Sequence, residues 1–379
     1  MPSPVPTDHA LIGAPDARSR IATPALVVDL DRFEANIAAM AEFARKAGIA
    51  LRPHAKSHKC ASIARRQIAA GALGQCCATL GEAEAFAAAG IGGLLVTSPQ
   101  VTAEKVARLA ALLGTGADVM VVVDDPGNVA ALAAAMPKGR RLKVLVDLNV
   151  GQMRTGVATV DAALALARAV AAAPALEFCG LQAYWGHLQH RADFAAREAA
   201  VREGAAHVAA VRDRLAAAGL PARIVSGGGT GTALLDAATG VFTELQPGSY
   251  IFLDVDYAAV LAGDARSVPL APSLFVACAV VSANVSGRAT IDAGLKAMAH
   301  DGPKATVARG APAGTTYAFA GDEHGYLMLP PGAAPPALGT RVELLSQHCD
   351  PTVNLYDVLH CVRGETLVDI WTIDARGRH

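Results

Sequence analysis

The sequence is poor in charged and aromatic residues. Charged side chains make up 18% of the 379 residues, aromatic side chains make up 4%, and the formal net charge is −1. A chain with such a balanced charge offers no basic surface for a nucleic acid or for an anionic membrane. We therefore expect neither as a partner.

Long uninterrupted apolar runs are missing as well. Hydrophobic residues reach 53%, but Arg, Lys or Pro interrupts the alanine-rich segments, and a membrane-spanning helix needs about 18 consecutive apolar residues. The N-terminal segment MPSPVPTDHALIGAPDARSR lacks the basic start and the apolar centre of a signal peptide. These absences predict a soluble, cytoplasmic, globular protein.

Paired CxxC spacings are absent, although the chain has seven cysteines. This spacing argues against a zinc finger or a dithiol redox site. The odd number and the apolar surroundings predict reduced, buried thiols. The cysteines are Cys60, Cys76, Cys77, Cys179, Cys278, Cys349 and Cys361.

Strand-like and helical patterns alternate along residues 25–262. After one strand and one helix, eight short apolar segments are each separated from the next by a helical pattern. They are ALRPH, GQCCAT, GLLVTS, DVMVVVD, LKVLVDLNV, EFCGLQAYW, RIVSGG and FTELQPG. Continuous apolar strands between helices predict a parallel sheet. Eight repeats predict a (β/α)8 barrel of the TIM type, with functional residues at the C-terminal ends of its strands.

The alternation of strand-like and helical patterns stops after about residue 265. Segments such as SLFVACAVVSAN and VLHCVRGETLVDIWTI are strand-like, with Gly and Pro turns and no long helix between them. This predicts a second, mostly antiparallel β domain, formed by residues 1–24 and 263–379. The apolar run before the first helix is a further candidate strand of that domain. The predicted fold class is α/β, a barrel with an appended β domain.

The segment RPHAKSHK, residues 52–59, concentrates basic groups at the end of a predicted barrel strand. One explanation is a solvated basic turn. The other is a lysine at the barrel mouth whose pKa is lowered by apolar walls, which frees the amine for Schiff-base chemistry. Residue types at this position leave both explanations open.

Two late strands end in segments typical of anion sites. SGGGTGT offers Ser226, Gly228, Gly229 and Thr230, and consecutive glycines let backbone amides approach an anion near a helix N-terminus. ELQPGSY follows one strand later and offers Gly248, Ser249 and Tyr250. Neighbouring late strands carry the usual phosphate site of this type of barrel. A phosphate site together with a lysine at the barrel mouth indicates pyridoxal 5′-phosphate as the cofactor.

From TPALVVDL to its C-terminus, the chain resembles the fold-type III pyridoxal-phosphate enzymes, whose barrels are similar to that of alanine racemase. Within them it resembles the branch of the D-threonine aldolases and D-serine dehydratases, most specifically in RPHAKSHK and HCDPTVNLYD. The resemblance implies that Lys56 holds the cofactor as a Schiff base and that Lys59 is a loop or electrostatic residue. It also implies a homodimer, in which the β domain of one subunit approaches the barrel mouth of the other.

Three further positions match cofactor contacts of that family. In GQMRTGV, Arg154 takes the role of the arginine that meets the cofactor's phenolate oxygen. In GLQAYWG, Tyr184 takes the place of the residue that stacks on the pyridine ring, although a core aromatic is the alternative. Gln246 replaces the arginine that racemases place opposite the pyridine nitrogen. A neutral amide neither repels a proton on that nitrogen as strongly as arginine does nor enforces one as a carboxylate does. We therefore expect the cofactor to be an electron sink of intermediate strength, with a metal supplying part of the activation.

The segment HCDPTVNLYD contains a candidate metal site. In a strand, residues i and i+2 point to the same face, so His348 and Asp350 could chelate one ion while Cys349 points away. A buried hydrogen-bonded His–Asp pair is the alternative. Imidazole and carboxylate ligands suit Mn²⁺, Mg²⁺, Co²⁺ or Zn²⁺. The matching second ligand of the dehydratase branch is typically a cysteine, so Asp350 resembles the aldolases and favours Mn²⁺.

Two histidines follow the strand that carries Tyr184. His187 and His190 are both candidates for the base that takes the proton of a substrate hydroxyl, with His190 preferred. A third possibility is that neither histidine is catalytic. Arg52 and His54 are candidates for tuning the choice of substrate side chain.

The resemblance implies retro-aldol cleavage of small β-hydroxy-D-amino acids of the D-threonine type to glycine and an aldehyde, dependent on pyridoxal phosphate and a divalent metal. A D-serine or D-threo-3-hydroxyaspartate dehydratase, giving a 2-oxo acid and ammonia, is the nearest rival. A D-3-hydroxyaspartate aldolase is the same reaction with an acidic side chain. A non-enzymatic pyridoxal-phosphate carrier is disfavoured, because such proteins are typically single barrels without a metal-bearing domain.

Overall fold

A computed structural model describes residues 7–262 and 267–379. Strand β1 (Ala25–Asp29) and helix α1 (Leu30–Ala47) come first, and eight parallel strands follow. These strands are β2 (Ala50–Leu51), β3 (Gln75–Cys77), β4 (Leu94–Val96), β5 (Val119–Val123), β6 (Leu142–Leu148), β7 (Leu176–Ala183), β8 (Ile224–Gly227) and β9 (Glu244–Leu245). Each coincides with one of the eight segments predicted from the sequence.

The eight parallel strands form a closed barrel. Their order is β2-β9-β8-β7-β6-β5-β4-β3, and a parallel bridge between His54 and Cys76 joins the two ends of that order. The backbone N–H of Cys76 also donates to the carbonyl oxygen of Pro53 at 2.8 Å. The predicted (β/α)8 barrel is confirmed.

Helices begin where short polar side chains follow the strands. The remaining barrel helices are α2 (Ala61–Ala69), α3 (Leu80–Ala88), α4 (Ala103–Gly114), α5 (Pro126–Ala135), α6 (Val160–Ala172), α7 (Phe194–Ala217), α8 (Ala233–Ala238) and α9 (Val255–Ala262). Side chains of Asp29, Thr79, Thr102, Asp125 and Thr159 each accept from a backbone N–H in the first turn of the following helix. Such caps satisfy N–H groups that have no partner within the helix.

The buried positions of the helices and of the barrel strands follow the pattern expected for each type of element. In α1, Phe33, Ile37, Met40 and Ala44 recur at intervals of three and four residues and are all buried, as an amphipathic helix requires. All five residues of β5 are buried, because a parallel strand is covered on both faces. Burial of these side chains holds the helices against the outside of the barrel.

The second sheet has nine strands in the order β11-β14-β13-β12-β15-β10-β1-β16-β17. Its later strands are β10 (Leu274–Ser282), β11 (Arg288–Ile291), β12 (Thr306–Arg309), β13 (Thr316–Phe319), β14 (Gly325–Met328), β15 (Arg341–Leu345), β16 (Val358–Arg363) and β17 (Thr366–Thr372). All their neighbouring pairs are antiparallel except β1 with β16. Strand β12 was not predicted, because no residue of TVAR is buried and the segment shows no apolar face.

Strand β1 lies inside the range 25–262 that was predicted for the barrel, but it belongs to the second sheet. Val27 pairs with Phe275 of β10 on one side and with His360 of β16 on the other. This agrees with the expectation that the apolar run before the first helix joins the β domain. The predicted boundary between residues 262 and 263 falls at the edge of residues 263–266, which lie outside the described part of the chain.

The segment HCDPTVNLYD is not a strand, and this part of the prediction was wrong. Residues Cys349–Val353 form a short helix, α10, and His348 is its extended N-terminal flanking residue. Pro351 explains the difference, because proline cannot donate to a strand ladder but is tolerated in the first turn of a helix. The pairing of His348 with Asp350 therefore cannot rest on alternation along a strand.

Two other expectations can be compared with the structure. All seven cysteines are unpaired and buried, so the prediction of reduced, buried thiols is confirmed. Across residues 7–262 and 267–379, no helix combines the length and the apolar character needed to cross a membrane.

Candidate active site

Lys56 lies at the mouth of the barrel. After β2 the chain stays extended to His54 and then forms a single 3₁₀ turn, Ala55–Ser57, that contains the lysine. The ammonium nitrogen Nζ lies 3.4 Å from Oδ2 of Asp350, and the side chain is half-buried. The Asp350 carboxylate raises the pKa of Lys56 above its usual value, more than burial lowers it. The expectation that apolar walls lower the pKa of this lysine was therefore wrong.

Asp350 is held in its ionised form. Although burial alone would raise the pKa of its carboxyl group, the charges of Lys56 and His348 hold that pKa below its usual range. The thiol of Cys349 also donates to Oδ1 of Asp350 at 3.3 Å. A buried carboxylate with a single ammonium partner beside the barrel mouth is a natural cation ligand.

The other basic residues of RPHAKSHK have different environments. Burial lowers the pKa of His54 to about 3, and the charge of Lys56 adds to the effect, so the His54 imidazole is neutral. Lys59 is buried, and its Nζ donates to Oδ1 of Asn354 at 2.9 Å and lies 3.4 Å from a carboxylate oxygen of Glu82. Lys59 is committed to these partners, in line with the structural role expected for it.

Arg52 does not reach the barrel mouth. Its guanidinium donates to both carboxylate oxygens of Glu244, at 2.8 and 2.9 Å, and to the carbonyl oxygen of Gly93, just before β4 begins. Both side chains of the pair are buried. Arg52 therefore points toward the N-terminal end of the barrel, and the suggestion that it tunes the choice of substrate side chain is wrong.

An Arg52→Ala substitution should destabilise the protein by about 3–5 kcal/mol, because it leaves the Glu244 carboxylate buried without its cation. Denaturant unfolding measures this loss. A double Arg52→Met, Glu244→Leu variant is the control, and it should lose less, because both charges are removed together. An Arg52→Ala variant as stable as the parent would show that the pair does not stabilise the barrel.

The glycine-rich loop after β8 is packed too tightly for side chains. Gly228 has φ +67°, and a Cβ atom there would collide with the carboxylate of Asp236. A Cβ on Gly229 would collide with the side-chain amide of Gln189. Asp236 accepts the N–H of Gly229 at 3.2 Å and the Nε1–H of Trp185 at 2.9 Å. Burial raises the pKa of Asp236 to about 7.

Thr230 makes the loop suitable for a phosphate group. It is buried, and its hydroxyl oxygen finds no hydrogen-bond partner in the described part of the chain. A buried hydroxyl without a partner is costly unless a ligand or water satisfies it. On the adjacent strand end, a Cβ on Gly248 would lie 3.0 Å from the carbonyl oxygen of His54, and Ser249 opens a buried 3₁₀ turn. The residues present thus fit a phosphate-bearing cofactor beside Lys56.

Two predicted cofactor contacts face the interior instead. The Ser226 hydroxyl donates to Glu244 at 2.7 Å and accepts from Nε2 of Gln246 at 2.9 Å. The Tyr250 hydroxyl is fully buried and accepts from Nε2 of Gln67 at 3.0 Å. Both side chains are therefore committed to the protein core, and the sequence could not show this because their partners Glu244 and Gln67 reach them only through the fold.

Gln246 belongs to a polar chain through the barrel interior. Its Nε2 lies 3.4 Å from Oε1 of Gln182, and Nε2 of Gln182 donates to Asp147 at 3.0 Å. Asp147 also accepts from the Thr155 hydroxyl at 2.7 Å, and burial raises its pKa to about 6. Arg154, next to Thr155, is exposed, and its guanidinium carbon lies 5.7 Å from the centre of the Tyr184 ring.

The two candidate bases have different neighbours. Nδ1 of His190 lies 2.7 Å from Oδ2 of Asp256, and its ring centre is 4.7 Å from that of Tyr257. Burial raises the pKa of Tyr257, and the charges of Tyr184 and Asp350 add to the increase. His190 therefore stands beside a residue that is electrostatically coupled to the candidate site.

His187 is exposed and lies against Gly151, where a Cβ would be 3.3 Å from its ring. Burial lowers the pKa of His187, and Arg191 adds to this effect. The structure gives His187 no contact with Lys56 or Asp350 among the residues it describes.

His348 and Asp350 lie at the start of α10, on the side of Lys56. Nδ1 of His348 is 2.7 Å from Oδ2 of Asp301, and the His348 charge contributes to the lowered pKa of Asp350. Within residues 7–262 and 267–379, no group of three or more His, Cys, Asp and Glu side chains is arranged around a metal position. The metal hypothesis therefore depends on two protein ligands, with water completing the coordination.

Several neighbours of the candidate site were missed in the sequence. Asp236, Asp256, Tyr257 and Asp301 lie in segments without a recognisable pattern, and each meets its partner only through the fold.

Comparison with known families agrees with this geometry. Residues 28–256 match the family described as "Alanine racemase, N-terminal domain", and residues 273–362 match the one described as "Putative serine dehydratase domain". The chain therefore belongs to the alanine-racemase-like family, and the resemblance inferred from RPHAKSHK and HCDPTVNLYD is confirmed.

Individual relatives are similar over nearly their whole length. The chain is 43% identical to a D-threonine aldolase from Arthrobacter sp, covering 96% of this chain and 94% of the relative. It is 38% identical to a 3-hydroxy-D-aspartate aldolase from Paracoccus denitrificans, covering 95% and 93%. The crystal structure of D-threonine aldolase from Filomicrobium marinum superimposes with a TM-score of 0.90 at 39% identity, covering 95% of this chain and 96% of that one.

Proposed function

We propose that the protein is an aldehyde-lyase that cleaves β-hydroxy-D-amino acids to glycine and an aldehyde, with pyridoxal phosphate and a divalent metal. The observation that supports this proposal is the 3.4 Å separation of Lys56 and Asp350, because we propose Lys56 as the cofactor lysine and Asp350 as a metal ligand. Bound pyridoxal phosphate supplies an electron sink for the bond-breaking step. The two aldolase relatives support the same class of reaction.

The proposed roles of the chain's own residues follow from their positions. Lys56 would hold the cofactor covalently, the glycine-rich loop and Thr230 would hold its phosphate, and Arg154 and Tyr184 would supply further contacts to it. His348 and Asp350 would hold the metal ion, which would supply a Lewis acid for the substrate hydroxyl. His190, whose Nδ1 is paired with Asp256, takes the hydroxyl proton on its other nitrogen.

We propose Mn²⁺ as the metal. The donor set is one imidazole and one carboxylate, and such nitrogen and oxygen ligands suit a hard or borderline divalent ion better than thiolates do. Cys349 is buried at the start of α10, and its thiol donates to Oδ1 of Asp350 at 3.3 Å, so we propose the Asp350 carboxylate, and not this thiol, as the second ligand. Mg²⁺, Co²⁺ and Zn²⁺ are the alternatives to compare.

A small side chain of the D-threonine type is the proposed substrate preference. Arg52, the residue whose charge could have matched an acidic side chain, is paired with Glu244 inside the barrel. A dehydratase remains the second candidate, because residues 273–362 match the serine dehydratase domain. The carboxylate of Asp350, in place of a cysteine, favours the aldolase.

The test compares substrates on the holoenzyme loaded with pyridoxal phosphate and Mn²⁺. We expect aldehyde and glycine from D-threonine, a lower kcat/KM with D-3-hydroxyaspartate, and no product from L-threonine. Formation of 2-oxobutyrate and ammonia from D-threonine would identify a dehydratase instead. Retention of the bound cofactor without turnover of any of these amino acids would support a carrier.

A His190→Ala variant should lower kcat by about 10²–10⁴-fold, because a positioned general base contributes a factor of that size. His187→Ala is the matched control: both histidines are exposed, but His187 lies against Gly151 whereas His190 is paired with Asp256, so the activity of His187→Ala should stay close to that of the parent. The initial rate of aldehyde formation measures both. Equal losses in the two variants, or none in His190→Ala, would remove His190 from the proposed mechanism.

We also propose a homodimer in which a second copy covers the barrel mouth. Met153, next to Arg154 and with 81% of its surface exposed, is an apolar side chain that such a second copy would cover. Light scattering of the holoenzyme measures the mass directly. A monomeric mass at full activity would contradict the proposal.

A further inference from the structure

Asp301 makes a contact that the proposed mechanism does not use. It lies in the loop between β11 and β12, and its Oδ2 is 2.7 Å from Nδ1 of His348. No sequence pattern singled it out. Its carboxylate is therefore in hydrogen-bonding contact with a residue that we propose as a metal ligand.

Asp301 is exposed and His348 is partly exposed, but a buried hydrogen-bonded threonine joins the two segments that carry them. The hydroxyl of Thr352 donates to the carbonyl oxygen of His348 at 2.7 Å and accepts from the backbone N–H of Ala299 at 3.1 Å. Thr352 is fully buried. One buried hydroxyl thus ties the backbone of the Asp301 loop, at Ala299, to the backbone of His348, and so holds the two segments close together.

A carboxylate at Nδ1 decides which nitrogen of the imidazole is left for a metal. A neutral imidazole carries one proton, and the nitrogen that binds a metal must present a lone pair. With Asp301 accepting the N–H of Nδ1, the lone pair is on Nε2. Carboxylates that hold metal-binding histidines in this way orient the ring and increase the basicity of the ligating nitrogen.

We propose that Asp301 is a positioning residue of the metal site, which holds the proton of His348 on Nδ1 and presents Nε2 to the divalent cation. The inference rests on the proposed function, because it requires His348 to be a ligand. It assigns no ligand role to Asp301 itself. The ion is therefore held by His348 and Asp350, and its affinity depends on a carboxylate from a loop distant in sequence.

The test measures the dissociation constant of Mn²⁺ by electron paramagnetic resonance of the free ion. The sample is the holoenzyme with bound pyridoxal phosphate, freed of metal with EDTA and desalted. Asp301→Ala should weaken Mn²⁺ binding by about 10–100-fold, as expected when such a partner is lost. Asp301→Asn should weaken it less, because the amide oxygen can still accept from Nδ1. Asp322→Ala, an exposed aspartate of the same domain, should leave the constant unchanged.

A spectroscopic readout separates ring orientation from general loss of structure. With Co²⁺ in place of Mn²⁺, the visible absorption bands of Asp301→Ala should shift, while its thermal unfolding temperature stays close to that of the Asp322→Ala control. Unchanged Mn²⁺ affinity and an unchanged Co²⁺ spectrum in Asp301→Ala would overturn the inference. Mn²⁺ binding by His348→Ala separates this failure from a failure of the proposed function. If His348→Ala loses Mn²⁺ affinity, only the role of Asp301 is wrong. If His348→Ala binds Mn²⁺ like the parent, the proposed metal site is wrong as well.

Discussion

A Lys56→Ala variant is expected to lose covalently bound pyridoxal phosphate and at least about 10³-fold of the aldolase activity, because it removes the amine that we propose as the nucleophile. Lys59, the nearest lysine in sequence, is buried against Asn354 and Glu82. Borohydride reduction of the holoenzyme, followed by peptide mass analysis, identifies the modified lysine. The expected site is Lys56.

Lys56→Arg is the matched control for this experiment. Arginine keeps a positive charge beside Asp350, so it should restore the stability that Lys56→Ala loses without restoring the covalent cofactor. Thermal unfolding and the absorbance of the reduced cofactor separate the two effects. Modification of Lys59 in the parent, or substantial turnover by Lys56→Ala, would contradict the assignment of Lys56.

Removal of the metal is expected to cause the second large loss of activity. EDTA treatment of the holoenzyme should lower the rate of aldehyde formation by about 10²–10³-fold, since a Lewis acid at the hydroxyl contributes several kcal/mol. Mn²⁺ should restore the rate. Asp350→Ala should show the same low rate but without restoration by Mn²⁺. It should keep its cofactor, because loss of the Asp350 charge lowers the pKa of Lys56 and so favours the free amine.

Asp357→Ala provides the control from the same segment of sequence. Asp357 is paired with Arg376 at the surface, 2.6 Å away, so its loss should leave activation by Mn²⁺ unchanged. A holoenzyme that is indifferent to EDTA, or an Asp350→Ala variant that Mn²⁺ still activates, would show that Asp350 is not a ligand.

The barrel could be predicted from the sequence because its signals are local. Each strand is a short apolar run, several of the helices begin at a capping Asp or Thr, and the alternation repeats eight times. The antiparallel domain was predicted for the same reason, except for β12, whose residues Thr306–Arg309 have no buried face. The position of β1 in the second sheet is a long-range property, and the apolar run alone could only make it a candidate.

The site could be predicted only in part, because side-chain direction is a property of the fold. Ser226 and Tyr250 lie in the expected segments but donate or accept inside the core. Arg52 was assigned to the mouth, yet its partner Glu244 lies in the barrel interior. The raised pKa of Lys56 depends on Asp350, which the chain brings into contact with it only after the β domain has folded onto the barrel.

For the segment HCDPTVNLYD, the sequence indicated the residues of interest but not their local structure or their contacts. Its residues were the right ones to single out, but the reasoning from strand alternation was wrong, because Pro351 favours the first turn of α10. Asp301, whose carboxylate faces His348, is 47 residues away from it in the sequence. No local pattern connects Asp301 with His348.

The most direct test of the proposed reaction is proton nuclear magnetic resonance of D-threonine turnover in D₂O, with holoenzyme, Mn²⁺ and an EDTA control. Cleavage between Cα and Cβ followed by protonation from solvent should give acetaldehyde and glycine with a single deuterium at Cα, and neither product with EDTA. Formation of 2-oxobutyrate, or D-threonine that exchanges its Cα proton without cleavage, would contradict the assignment as an aldolase.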